Sequence, residues 1–179
     1  MIYLFLAEGF EEIEAIATVD VLRRAGCDLS TVGIGGKRII GAHNIQVIAD
    51  LEENDVSFSA IDMVILPGGG EGTKRLDESS FVRSAVQYCA DHRKPIAAIC
   101  AAPSVLGHMG LLRDYEATCF PGYEDELNAK RVTGAPVCVS GDIITARGAG
   151  VTVEFALKIV EVLYGAEKSS MLRKKMQCM

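Results

Sequence analysis

The sequence predicts an α/β sandwich, a mostly parallel sheet with helices on both faces, folded as one domain over residues 1–179. Three observations carry this. The runs Ile2 to Ala7, Ile61 to Leu66 and Ile96 to Ile99 are apolar throughout, the pattern of strands covered on both sides. Strand-like and helix-like segments alternate, which builds crossover units with parallel strands. A length of 179 residues suits one core and crowds two.

Taken in order, Ile2 to Ala7 is the first strand, and Glu11 to Ala25 a helix whose early Glu residues suit its positive end and whose Arg23 and Arg24 suit its negative end. Gly26 stops it, and Leu29 to Ile34 completes a βαβ unit. Arg38 to Ala49 reads as a hairpin or extended ribbon. Ile61 to Leu66 is a buried strand ending in Pro67-Gly68-Gly69-Gly70, and Ser79 to His92 a helix with Phe81, Ala85, Val86 and Cys89 at helical spacing. Ile96 to Ile99 is the next strand, Ala101 to Met109 a helix, and Ala117 to Phe120 a short strand. Val137 to Val139 and Ile143 to Thr145 form a hairpin about Ser140-Gly141-Asp142. Val151 to Tyr164 is a helix, and the tail from Ala166 adds another.

Composition narrows the function. A net charge of −6, from 24 acidic and 18 basic residues, repels a phosphate backbone, so no nucleic-acid partner is expected. No Lys or Arg precedes the short first apolar run, which argues against a secretory leader and for a cytoplasmic location. Pro95 to Leu112 lacks charged residues, but Pro103, Gly107 and Gly110 interrupt it, so no membrane span is expected either. The six cysteines contain no Cys-x-x-Cys and none has a His at zinc-finger spacing; free thiols in a reducing compartment are expected, and no metal.

In parallel sheets the site lies at the carboxyl ends of the strands, here Glu8 to Glu14, the Gly68 loop, Cys100 and the Arg147-Gly148 turn. Cys100 stands between a buried strand and a helix, the geometry of a nucleophile elbow with sulfur for hydroxyl. The helix N-terminus there favours thiolate and predicts a lowered pKa; the alternative is an inert core thiol. The Gly68 loop lacks the signatures of phosphate and dinucleotide sites, so no cofactor is expected. It is either a plain turn or an oxyanion hole in which the N–H groups of Gly69 and Ala101 converge on a carbonyl attacked by Cys100. Glu14, one turn into the first helix, is solvated or else buried, protonated and within reach of the sulfur; Glu11 and Glu12 are expected to be solvated. Arg147 either binds an anionic substrate group or anchors its loop. His43, His92 and His108 are expected at the surface or at caps, a distant Cys-His pair remaining open.

Four motifs in order resemble the DJ-1/ThiJ/PfpI superfamily, and within it the DJ-1/YajL-like branch. They are Glu11-Glu12-Ile13-Glu14 before Val19 to Gly26, Val64-Ile65-Leu66-Pro67-Gly68-Gly69, Ala97 to Pro103 around Cys100, and Arg147-Gly148 leading into Glu154-Phe155-Ala156-Leu157. The resemblance implies a flavodoxin-like three-layer sandwich, a homodimer, an oxidation-sensitive nucleophile at Cys100, a protonated Glu14 bonded to it, and backbone donors at Gly69 and Ala101. It also implies glutathione-independent glyoxalase activity on methylglyoxal, deglycase activity on early glycation adducts, or oxidative-stress sensing with chaperone-like protection. The expected partners are a small aldehyde or glycated substrate and a second copy of the chain.

The sequence departs from that pattern in places. Ala101 stands where protease-like relatives carry His, so peptidase activity is not expected. Phe120, before Pro121, replaces a His that some relatives carry as a second proton-transfer group, and it joins Gly68 and Arg147 as a possible substrate contact. The Arg-Gly-Pro turn reads Arg147-Gly148-Ala149, and an interface arginine is replaced near His43.

Overall fold

The computed structural model describes residues 1–178. Its elements run β1 (Ile2–Leu6), α1 (Glu12–Arg24), β2 (Leu29–Gly33), β3 (Arg38–Ile40), β4 (Gln46–Ile48), β5 (Leu51–Glu52), β6 (Met63–Leu66), α2 (Gly70–Glu78), α3 (Ser80–Asp91), β7 (Ile96–Ile99), α4 (Pro103–His108), β8 (Glu116–Ala117), β9 (Arg131–Val132), β10 (Val137–Ser140), β11 (Ile143–Ala146), α5 (Thr152–Tyr164) and α6 (Ala166–Lys175). Seven strands form one sheet in the order β10-β11-β7-β6-β1-β2-β5, parallel except for β10, which returns antiparallel on β11. Among the described residues, no helix is long and apolar enough to cross a membrane.

Alternation along each strand divides the core in two. Leu4 and Leu6 of β1, Ile65 of β6, and Ala97 and Ile99 of β7 face α1, α5 and α6, where Ala15, Leu22, Phe155, Ile159 and Leu172 meet them. Tyr3, Phe5, Val64, Leu66 and Ala98 face the opposite layer of α2, α3 and α4, meeting Leu76, Val82, Val86, Val105 and Leu106. Both faces are covered, which is why these strands are apolar at every position. The predicted three-layer architecture is the one observed.

Some local expectations need correction. The glycine run after β6 continues directly into α2, a helix that the three successive glycines conceal because they score as breakers. α4 begins at Pro103, after a turn over Cys100 to Ala102, and has six residues. Of the expected short strand Ala117 to Phe120, only Ala117 is in a strand, β8 (Glu116–Ala117), which pairs parallel with Arg131–Val132. The ribbon forms as the β3-β4 hairpin.

Register fixes where the site falls. Leu66 pairs with Ala98, and Ala146 with Ile99, so β6, β7 and β11 end side by side. Cys100 therefore has the Gly68 turn on one flank and the Arg147-Gly148 turn on the other.

Candidate active site

Cys100 leaves β7 with a φ of 66°, a left-handed backbone that few non-glycine residues adopt. Two hydrogen bonds hold it there: its N–H donates to Ala146 O at 2.8 Å, and its carbonyl accepts from Phe120 N–H at 2.8 Å. The chain thus turns sharply and leaves the half-buried sulfur at the strand end, as the elbow reading requires.

Glu14 comes to that sulfur from α1. It is 1% exposed, and its Oε2 accepts the Gly68 N–H at 2.8 Å. Gly68 O in turn accepts the Glu11 N–H at 2.9 Å, so the turn after β6 and the start of α1 are tied in both directions. A side chain at Gly68 would begin 2.5 Å from both Cys100 Cβ and Glu14 Oε2, and one at Gly69 would begin 2.3 Å from Gly9 O. Only glycine admits this approach of acid, sulfur and backbone.

The electrostatics follow from burial. Desolvation raises the Glu14 pKa to about 7, against hydrogen bonds from the Cys100 thiol and the Gly68 N–H that favour its charge. No N–H or O–H group reaches the buried Oε1, which also disfavours the carboxylate. Cys100 is pushed up to about 12 by burial and by the neighbouring Glu14, opposed by hydrogen bonds from the Ala101 and Gly69 N–H groups. The lowered pKa predicted from a helix N-terminus is thereby corrected. α4 starts three residues beyond the sulfur and is short, and desolvation beside an acid outweighs its dipole.

The structure thus brings together Cys100, Glu14, Gly68, Gly69 and Ala101. Phe120 lies at the rim, 3.2 Å from where a side chain on Gly148 would begin, and lines a shallow hollow with Pro121, Arg147 and Ala149. The Arg147 N–H is spent on Pro136 O, and its side chain is exposed.

Glu12 is 5% exposed, contrary to its expected solvation. It accepts the His43 N–H at 2.7 Å and the Ile45 N–H at 3.4 Å, and meets His43 Nδ1 at 2.9 Å, so it anchors the β3-β4 hairpin on α1. Sequence periodicity gave no sign of this, because the partners are backbone groups 31 and 33 positions away. Among the described residues, Glu11, Glu12 and His43 form the one set of three possible metal-ligating side chains, their ligand atoms within 4.8 Å of one another. Glu12 is already occupied by hydrogen bonds. His92 caps α3 on Tyr88 O, and His108 pairs with Asp77 and Glu126, so no histidine joins Cys100.

Comparison with known proteins gives a consistent result. The family model described as "DJ-1/PfpI family" matches residues 1–162. The chain is 39% identical to Protein dj-1beta of Drosophila melanogaster over 92% of itself and 90% of that protein. It is 34% identical to the Caenorhabditis elegans protein named glutathione-independent glyoxalase DJR-1.2, over 93% of itself and 90% of that protein. The solved structure of oxidized DJ-1 from Toxoplasma gondii superposes with a TM-score of 0.94 at 32% identity, covering 98% of this chain and 97% of that one. The chain spans 39% and 44% of the length of the Arabidopsis thaliana DJ-1 homologs B and A.

Proposed function

The chain belongs to the DJ-1/PfpI family, and from that premise we propose that it converts a small α-oxoaldehyde such as methylglyoxal to the hydroxy acid without glutathione. The observation that supports this most is the buried carboxyl of Glu14 against the Cys100 sulfur, with the N–H groups of Gly69 and Ala101 directed to the same place. The name of the Caenorhabditis elegans relative points the same way.

Glu14, titrating near neutrality, suits both directions of proton transfer. As the sulfur bonds to the aldehyde carbon, the thiol proton passes to Glu14 and then to the aldehyde oxygen, whose developing charge faces the Gly69 and Ala101 donors. The product is a hemithioacetal. Glu14 then takes the proton from that carbon and returns it to the neighbouring one, while the hydroxyl proton of the first carbon moves to the ketone oxygen. The first carbon is oxidised and the second reduced, so no external oxidant is needed. Water cleaves the resulting thioester, releasing lactate and the free thiol. Early glycation adducts are the larger substrates that the same attack would serve. Free cysteines throughout accord with work in a reducing cytoplasm.

The same donors favour a second reading, redox sensing through sulfenic and sulfinic acid at Cys100, with the Glu14 proton on the sulfinate oxygen. One experiment addresses both. Purified protein given methylglyoxal without glutathione is expected to form lactate, and Cys100→Ala to fall to background; equal rates in the two would refute the enzymatic reading. Peptide mass mapping after mild peroxide reports whether oxygen adds at Cys100 before the other cysteines, which sensing requires.

Pairing with a second copy is part of the proposal. Ile13, Ile16, Ile45 and Val153 are exposed apolar side chains; Ile13 and Val153 line one hollow, and Ile45 is tied to α1 through Glu12.

A further inference from the structure

Cys100 lies at the end of β7, between the turns after β6 and β11. The loop that crosses over it is held by the Phe120 N–H on Cys100 O, and the loop closes on itself through the Tyr123 N–H on Phe120 O at 3.2 Å. Its two aromatic residues diverge. Phe120 lies against Gly148 on the β11 side, whereas the Tyr123 hydroxyl lies 3.9 Å from where a side chain on Gly70 would begin, on the β6 side. Gly70 follows Gly69, whose N–H points at the sulfur. The Tyr123 ring is partly buried against the core beneath α2, α3 and α4, which fixes its direction. The side-chain hydrogen bonds of this loop run from Gly122 N–H to Glu124 and from Asn128 to the Glu126 carbonyl; none engages the Tyr123 hydroxyl.

A phenol with its ring packed and its O–H unspent, beside the glycine turn that borders Cys100, is a donor placed for a ligand. An α-oxoaldehyde carries two oxygens on adjacent carbons. When the aldehyde oxygen occupies the Gly69 and Ala101 donors, the ketone oxygen needs another, and the glycines at 68 to 70 offer no side chain. Resting on the reading of Cys100 as the group that takes an α-oxoaldehyde, we propose that the Tyr123 hydroxyl donates to this second oxygen and so selects dicarbonyls over simple aldehydes. Tyr123 is in this sense a specificity-determining residue, on the side of the mouth opposite Phe120.

The test compares methylglyoxal with propanal, which has the same three carbons and lacks the ketone oxygen, as agents that protect Cys100 from iodoacetamide. Protection reports the hemithioacetal and needs no turnover. In Tyr123→Phe, the concentration of methylglyoxal giving half-protection is expected to rise about threefold to tenfold, the range for one neutral hydrogen bond. The concentration for propanal is expected to stay the same. An equal shift for both aldehydes, or no shift for either, overturns the proposal, as does a wild-type protein that neither aldehyde protects. Lactate formation measured alongside keeps the two ideas separate: a selective shift without lactate supports Tyr123 as a dicarbonyl contact and removes the enzymatic reading.

Discussion

At the scale of single residues, the site turns on where one proton resides. The folded pKa of Glu14, about 7, lies above its ordinary value of 4.5 because burial penalises the charged form, so between those values the native state holds more protons than the unfolded chain. The stability it contributes is complete below pH 4.5 and is lost as pH rises through 7, a swing of about 3 kcal/mol. Activity should run the other way, rising through the same window as the carboxylate that accepts the thiol proton appears. Denaturant melts and initial rates from pH 5 to 8 are expected to slope in opposite directions in wild type, and Glu14→Gln to flatten the first and abolish the second. Parallel slopes would argue against the assigned acid. The positions of Cys100, Glu14, Gly69 and Ala101 at the carboxyl ends of the strands were legible from the parallel α/β pattern and from family resemblance. The ionisation of the sulfur was not, because desolvation depends on packing from α1 and the glycine turn, which no local motif encodes.

At the scale of elements, Glu12 shows what periodicity misses. A glutamate in the first turn of α1 has the pattern of a solvated dipole partner, yet it is buried as the acceptor for two N–H groups of the β3-β4 hairpin. Burial works against its charge, but the bonds from His43 and Ile45 prevail and hold its carboxyl below the ordinary range. Glu12→Ala leaves those N–H groups without their partner, and each such loss costs about 1 to 3 kcal/mol. The expected result is a lower urea midpoint with faster hydrogen exchange at the His43 and Ile45 amides; exchange unchanged there would mean that the hairpin is held by other contacts. The helix α2 was hidden for a related reason. Gly70 and Gly72 depress helix propensity in sequence, whereas in the fold Gly72, with Gly69 before the helix, lets α2 start close against Gly9 and Phe10. The buried strands suffered no such ambiguity, since coverage on both faces writes itself into every position.

At the scale of the whole molecule, the layers assign opposite duties to the two sides of α1. Glu14 turns inward to the sulfur, while Ile13 and Ile16 are exposed. Replacing both isoleucines with Arg is expected to convert a dimer to a monomer in sedimentation velocity; a wild-type chain that sediments as a monomer at micromolar concentration would count against pairing through this face. The overall architecture was readable from alternation of strand and helix, whereas a second copy was expected from the resemblance alone, because an exposed isoleucine looks the same in a list of residues whether or not another surface covers it. A single helical turn that conceals an acid and displays bare isoleucines has a practical result if a second copy covers it. In the dimer proposed above, diluting the protein below its dissociation constant would uncover the turn that carries the acid as it parts the subunits, so potency per molecule would depend on how much protein is in the tube, and rates taken at nanomolar and micromolar levels would disagree.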